Sequence, residues 1–346
     1  MSRRLLLLIA ALGALLALPA LAGASIVYQT SAGSGANRAI FMADDDGANA
    51  TKLPVTGQFA VISPNGATVA YTKVVNNSTG ASQLHFLTVA SGADLNTGIS
   101  CGGAVWAPNS SMVACTTSQT TGTIKGLGLS TVTTTGTASV IVPSVGTQVN
   151  GYSFSPDSSM IVWGQTPFGA YDVSSSLRTL PVNGGGAVTK LGKGAQPIWG
   201  PSKIAFTRAT HTIVGGTAFL RRQIWTLDPA VGASSAKVLT AYQAKGFVEG
   251  PTPLRWTSDG TKIVGQLIGQ DYEQPIYVTT NGKIHMFGPS NAGVYGVSAD
   301  GTQALVSGNL LGGGKQPLYA SPLAKMASSL LLKDAEEPSA TANWQP

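Results

Sequence analysis

One short turn recurs six times along this chain, each time between two short apolar segments. The copies are Ser63-Pro64-Asn65-Gly66, Ala107-Pro108-Asn109-Ser110, Ser155-Pro156-Asp157-Ser158, Gly200-Pro201-Ser202-Lys203, Thr257-Ser258-Asp259-Gly260 and Ser298-Ala299-Asp300-Gly301. Proline at the second position presets φ, and Asn or Asp followed by Gly or Ser tolerates a tight reversal. Successive copies start 41 to 57 residues apart, a length typical of one four-stranded sheet with its loops. The repeat therefore predicts an all-β chain built from short antiparallel sheets.

The ends of the chain predict how many sheets there are. Small sheets cannot bury both faces alone, and radial stacking hides their edges, so we expect a β-propeller. Residues 25–29 read as a second strand without its hairpin partner, and residues 340–346 read as a first strand. If these two strands share one blade and close the ring, six complete hairpins plus the shared blade give seven blades. Six blades is the alternative, because the fourth turn and residues 120–145 are irregular.

The composition excludes several other classes of protein. Of 346 residues, 21 are Lys or Arg and 15 are Asp or Glu, so only 10% are charged. That share is too low for a disordered polyelectrolyte or a coiled coil. The net charge of +6 is scattered, with no Lys/Arg cluster larger than a pair, so we expect no nucleic-acid partner. We expect a monomer.

The first 24 residues resemble an export signal. Arg3 and Arg4 precede a Leu-rich apolar run, and small residues at 22–24 follow it, as in a secretory signal peptide. No later stretch reaches the length of apolar residues that spans a bilayer. We therefore expect a signal peptide at residues 1–24, a single propeller domain at residues 25–346 with no membrane span, and a periplasmic or extracellular location.

The repeated turn, with an aromatic residue shortly before it, and the stretch from Ile40 to Leu53 resemble the TolB-like, WD-type propeller repeat. The resemblance covers nearly all of the chain after residue 24 and implies a propeller fold. The chain departs from TolB itself, which carries an α/β domain before its propeller, and from the prolyl-oligopeptidase group, which adds a hydrolase domain. The scaffold hosts unrelated functions, so neither the partner of TolB nor a peptidase activity carries over.

No pattern of catalytic, cofactor-binding or metal-binding residues stands out. His85, His211 and His285 have no metal-ligand spacing. The stretch from Asp44 to Asn49 resembles a calcium loop but lacks the bidentate Glu, and it matches a polar turn between outer strands. We therefore expect no catalytic residue, no cofactor and no metal.

The two cysteines, Cys101 and Cys115, flank the turn at Pro108 and Asn109. On paired antiparallel strands they would lie opposite or nearly opposite each other, close enough for a disulfide. The alternative is two small buried thiols one register step apart.

Loop lengths indicate where a partner would bind. The first-to-second turns are short, whereas the predicted connections 31–38, 73–82, 208–222, 240–250, 265–274 and 307–316 are long and lie on the opposite face. Binding concentrates on variable loops held by a rigid scaffold. The largest set of charged and aromatic side chains lies in connections 208–222 and 240–250, together with residues from the next blade. The candidate residues are His211, Phe219, Arg221, Arg222, Tyr242, Phe247, Glu249, Asp271 and Tyr272.

Two functions remain open. The first is a non-catalytic scaffold that binds a protein or a cell-envelope polymer through the long-loop face. The second is a lyase or hydrolase acting on a sugar or lactone at the central channel, which would need acids, histidines or a metal converging on the axis. The near absence of charge from the innermost strands disfavours the second.

Overall fold

In the part of the chain that the computed structural model describes, the strands form five sheets, of seven, eight, four, four and four strands. They divide into seven four-stranded antiparallel blades, which we number 1 to 7. The described residues are 25–30, 37–76, 81–121, 124–143, 146–170, 172–214, 217–242, 249–269, 272–298, 300–308, 317–324, 329–332 and 343–344. The expected signal peptide lies outside them.

The first two blades share one long strand. Blade 1 consists of Asn343–Trp344, Ser25–Thr30, Arg38–Asp44 and the first half of Thr51–Ile62. Blade 2 consists of the second half of Thr51–Ile62, then Thr68–Asn76, Ala81–Thr88 and Asp94–Asn96. The outer strand of blade 1 therefore becomes the inner strand of blade 2 without a loop.

The other five blades follow one order, from the innermost strand to the outermost. Blade 3 is Gly102–Trp106, Met112–Thr121, Ile124–Thr133 and Ala138–Val142, and blade 4 is Thr147–Phe154, Met160–Pro167, Ser176–Pro181 and Thr189–Lys193. Blade 5 is Ala195–Trp199, Ile204–Val214, Thr217–Leu227 and Lys237–Val238, and blade 6 is Gly250–Trp256, Lys262–Gly269, Tyr272–Thr279 and Ile284–Met286. Blade 7 is Gly293–Val297, Gln303–Ser307, Leu318–Pro322 and Ser329–Leu332. Two 3-10 helices, Asp172–Ser174 and Gly232–Ser235, lie in connections.

The two ends of the described chain meet in blade 1, as the sequence predicts. Ile26 pairs with Trp344 and Val27 with Asn343 in antiparallel register. A buried cluster that includes Ile26 and Tyr28 of blade 1 and Leu305 of blade 7 joins these neighbouring blades. Blade 1 is therefore assembled from two distant segments of the chain.

The core lies between blades rather than inside one layer. Buried apolar side chains of each blade pack against those of the next, as Phe86 of blade 2 does against Trp106 of blade 3. Burying one large apolar side chain stabilises a fold by about 1.5–3 kcal/mol. Because these contacts cross from blade to blade, each sheet depends on its neighbours for stability, which is the expected behaviour of a repeat protein.

Candidate functional site

The predicted connection 208–222 is a two-stranded ribbon and not a loop. Its strands pair without interruption from Ile204 opposite Leu227 to Val214 opposite Thr217. The inner strand of blade 5 pairs only as far as Thr207, so the ribbon continues beyond it. The expectation of a loop was wrong because alternating Thr, Ala and Ile residues in 209–214 favour an extended hairpin with the following segment.

The predicted connection 265–274 is also mostly strand. Its residues pair from Gly265 opposite Ile276 to Gly269 opposite Tyr272. The first-to-second turns, in contrast, are short, as expected; Gly66 N–H, for example, donates to the Ser63 carbonyl at 2.8 Å.

The ribbon brings Arg221 and Tyr242 together around Thr210. Thr210 and Arg221 are directly opposite in the ribbon. The hydroxyl groups of Thr210 and Tyr242 are hydrogen-bonded at 3.2 Å, and Tyr242 is 39% exposed. These two predicted residues, from connections separated in sequence, therefore lie on one face of the ribbon.

A neighbouring cation on this side of blade 5 has partners within the protein. Arg208 stacks over the ring of Trp225, with its guanidinium carbon 3.9 Å from the ring centroid, and its Nε donates to the Lys193 carbonyl at 3.0 Å. Burial lowers the pKa of Arg208. Arg208 therefore braces the base of the ribbon.

Arg222 and Glu249, also predicted, form an ion pair with each other. The backbone N–H of Arg222 donates to the Glu249 carbonyl at 2.5 Å, so the entry to blade 6 is attached to the ribbon. Arg222 is largely buried, with 12% of its side chain exposed. The pair therefore holds blades 5 and 6 together.

His211, another predicted residue, is exposed and lies opposite Leu220 in the ribbon.

Four of the predicted residues receive little or no description. Phe247 and Asp271 lie outside the described residues. Phe219 and Tyr272 are described by their backbone alone: Phe219 pairs with Thr212, and Tyr272 begins the third strand of blade 6.

A second candidate site is the central channel, which has a volume of about 1070 Å³. Residues of the repeated turns, among them Pro64, Pro108 and Pro156, line one end, whereas Gln266 and Glu273 lie at the ends of strands on the opposite face. Much of the wall between them comes from the innermost strands. The channel thus runs along the propeller axis.

A bulge in each inner strand of blades 2 to 7 determines which side chains face the channel. Beyond the bulge, the residue two positions before each turn copy pairs with a residue of the second strand. In chain order these residues are Val61, Val105, Ser153, Ile198, Arg255 and Gly296, paired with Ala70, Ala114, Val162, Ala205, Val264 and Leu305. Arg255 is therefore the one charged member of an otherwise uncharged layer.

Arg255 was overlooked in the sequence, although it stands directly before the aromatic residue of the fifth turn copy. Its side chain is partly exposed to the channel, and burial lowers the pKa of its guanidinium group. Among the described residues, none forms a hydrogen bond or ion pair with this guanidinium. Aligning the six copies of the repeat would have revealed it as a departure from the pattern.

Glu273 is the acidic residue among the described residues that line the channel. Its Oε2 accepts a hydrogen bond from Gln266 Nε2 at 3.1 Å. Burial, and to a lesser extent the negative charge of Glu273, raises the pKa of Tyr295 to about 12. Among the described channel residues, Arg255 and Glu273 are the charged ones, so acids and histidines do not converge there.

Another polar contact missed by sequence reasoning lies in the outer part of blade 2. His85 Nδ1 is 3.1 Å from Asp94 Oδ2, and the His85 ring lies 5.2 Å from that of buried Tyr71.

No group of three or more His, Cys, Asp or Glu side chains that could hold a metal occurs among the described residues. In the calcium-like stretch, Asp44 Oδ2 instead accepts a hydrogen bond from Asn49 Nδ2 at 2.6 Å.

Cys101 and Cys115 form a disulfide, with their Cα atoms 5.7 Å apart. Both residues are buried in the cluster between blades 2 and 3. The bond joins the start of the inner strand of blade 3 to its second strand.

Comparisons with known proteins bear on the fold. No family model and no curated protein matches the sequence. Puromycin hydrolase complexed with PGG superposes with a TM-score of 0.65 and 14% identity over 91% of this chain and 53% of its own. The β-propeller domain of the Trilobed protease from Pyrococcus furiosus gives a TM-score of 0.62 and 10% identity over 91% of this chain and 96% of its own.

TolB from Acinetobacter baumannii matches 76% of this chain with 15% identity and a TM-score of 0.46. The chain spans 53% of the puromycin hydrolase and 63% of this TolB. In the part of the chain that is described, no helix has the length and apolar character needed to cross a bilayer. The likeness to the puromycin hydrolase and to the Trilobed protease propeller, at 14% and 10% identity, shows the fold alone. Together with the seven blades, that likeness makes this chain a β-propeller, as its resemblance to the TolB-like repeat implies.

Proposed function

We propose that this chain is a non-catalytic binding propeller of the periplasm or the extracellular space. It engages a protein or a cell-envelope polymer through the ribbon of blade 5. The observation that carries the proposal is the convergence of Arg221 and exposed Tyr242 around Thr210, on a ribbon that continues beyond the inner strand of its blade.

The chemistry of this face suits binding. Tyrosine and arginine are enriched at protein interfaces, since each combines a large contact area with hydrogen-bond donors. The ribbon is attached to the scaffold at Arg222 and Glu249, so little conformational entropy is lost there on binding. On the other face of the ribbon, Ile213 is 74% exposed and adds apolar area.

The alternative, a lyase or hydrolase at the channel, receives less support. Such chemistry needs several acids, histidines or a metal held together, whereas Glu273 is the sole carboxylate among the described channel residues. Its neighbour Tyr295 has a raised pKa, which makes it a poor general base near neutral pH.

The test is affinity capture from an envelope extract, with identification of the bound material by mass spectrometry. Arg221→Ala and Tyr242→Ala should each reduce recovery of the specific partner at least about tenfold, as expected for hot-spot residues. Lys237→Ala, an exposed cation on the outer strand of the same blade, is the matched control and should leave recovery unchanged. Equal recovery with all three variants would remove the ribbon from the proposal.

A further inference from the structure

We propose that the central channel is a binding site for a small apolar carboxylic acid, whose carboxylate pairs with Arg255. This site lies on the propeller axis and is separate from the ribbon of blade 5. The proposal therefore stands or fails independently of the proposed protein or polymer partner.

The first argument for this site is the guanidinium group of Arg255. In five other blades, the position of Arg255 holds Val61, Val105, Ser153, Ile198 or Gly296, so the repeat does not require a cation there. Burial lowers the pKa of the Arg255 guanidinium, which is partly exposed to the channel, and among the described residues none forms a hydrogen bond or ion pair with it. A guanidinium partly withdrawn from water binds a carboxylate through two parallel hydrogen bonds, which replace the water contacts that it has lost.

The lining of the channel indicates the rest of the ligand. Val105 and Leu254 are 37% and 39% exposed, and Val61 and Ile198 also line the wall. These side chains offer van der Waals contact and no hydrogen bonds. A ligand beside them is therefore apolar apart from the group that reaches Arg255.

The size and charge of the channel favour a small monoanion. A volume of about 1070 Å³ is close to the upper end of small-molecule pockets, which is about 1,000 Å³. One cation neutralises one carboxylate. Glu273, at the other end of the channel, repels a second anionic group and orients a monoanion toward Arg255.

The experiment measures binding of three eight-carbon probes by isothermal titration calorimetry. Octanoate should bind at least tenfold more tightly than 1-octanol, which has the same chain without charge, and octylamine should not bind measurably. Arg255→Gln should reduce octanoate affinity at least tenfold, Arg255→Lys should retain part of it, and Lys237→Gln should leave it unchanged.

Thermal unfolding separates loss of the site from loss of the fold. Since Arg255→Gln removes a partly buried cation with which no described residue pairs, its Tm without ligand should equal or exceed that of the native protein. Octanoate should raise the Tm of the native protein but not that of Arg255→Gln. Val105→Tyr, which narrows the channel and leaves Arg255 unchanged, should also weaken octanoate binding.

Several results would overturn the proposal. One is equal binding of octanoate and 1-octanol; another is unchanged octanoate affinity in folded Arg255→Gln. A third is that octanoate does not bind measurably but an apolar peptide with a free C-terminal carboxylate does. The channel would then bind the end of a peptide instead of a small acid.

Discussion

The side-chain oxygen of Ser110, in the turn of blade 3, accepts a hydrogen bond from the backbone N–H of Asn65, in the turn of blade 2, at 3.1 Å. Ser158 of blade 4 does the same for Asn109 of blade 3, at 3.0 Å. Both serines have φ of 61°, in the left-handed region, where the equivalent turns of blades 2, 6 and 7 have glycine. The two serines therefore combine a strained backbone with a hydrogen bond between blades.

Replacing Ser110 separates these two effects. Ser110→Ala keeps the strained backbone and loses the hydrogen bond, so the free energy of unfolding should fall by about 0.5–1.5 kcal/mol. Ser110→Gly loses the same bond but relieves about 1 kcal/mol of strain, and it should be nearly neutral. Urea denaturation of both variants provides the measurement, and equal losses of stability in the two would contradict this account.

Two glycines of blade 4 test how closely neighbouring blades approach. Gly151 and Gly169 have φ of 78° and 81°. A Cβ on Gly151 would lie 2.7 Å from the Cα of Gln196 in blade 5, whereas a Cβ on Gly169 would have no heavy atom within 4 Å. Gly151→Ala should therefore lower the free energy of unfolding by about 1–3 kcal/mol more than Gly169→Ala does. The two variants share the backbone strain, so a similar loss in both would show that the blades can move apart at this point.

The turn aspartates should make stability depend on pH in acid. Hydrogen bonds from Ser155 and Ser159 lower the pKa of Asp157 from 3.8 to about 2, and those from Thr257 and Thr261 do the same for Asp259. Because the folded-state pKa is the lower one, the stabilisation is fully present above pH 4 and is lost as the pH falls toward 2.

NMR titration of the two carboxyl groups should give the low pKa values directly. The double variant Asp157→Asn with Asp259→Asn should show a weaker dependence of unfolding midpoint on pH between 4 and 2. Asn65 already occupies the equivalent position in blade 2 with the same type of hydrogen bond, so an amide is compatible with the turn. An unchanged pH dependence in the double variant would assign the acid sensitivity to other groups.

A tryptophan hydrogen bond links two pairs of blades in the same way. Trp106 Nε1 donates to the Val61 carbonyl at 3.0 Å, and Trp256 Nε1 donates to the Ile198 carbonyl at 3.3 Å. Trp106→Phe removes this bond and part of the ring, so we expect a loss of about 1–3 kcal/mol in the free energy of unfolding. Trp225→Phe is the control, because Trp225 Nε1 donates to no described residue and a phenyl ring still offers Arg208 a face on which to stack. A loss in the control as large as that in Trp106→Phe would assign the effect to ring volume.

The disulfide within blade 3 should stabilise the folded protein. Cys101 and Cys115 are 14 residues apart, and closing a loop of about 15 residues contributes about 3 kcal/mol in the chain-entropy model. The double variant Cys101→Ser with Cys115→Ser should show this loss in chemical denaturation. The native protein in excess reductant should behave like the variant. Mass spectrometry without reductant provides the direct check, since two alkylatable thiols would contradict the bond.

Local patterns in the sequence determined the all-β class, the repeated hairpins and the meeting of the two ends in blade 1. Each of these depends on residues close together in the chain: proline and Asx–Gly chemistry in the turns, and alternation of apolar residues in the strands. The unpaired strand at Ser25–Thr30 needed a partner, and Asn343–Trp344 supplies it.

Tertiary structure alone decided the candidate sites. The extended ribbon, the contact of Tyr242 with Thr210 and the pairing of Arg222 with Glu249 join segments whose registers are set by long-range strand pairing. The inner-strand bulges likewise turn Arg255 toward the channel, where an alternating pattern leaves its direction undetermined. A side chain acquires these neighbours only when distant strands pair and blades stack, because proximity in space is a property of the closed ring and not of the local sequence.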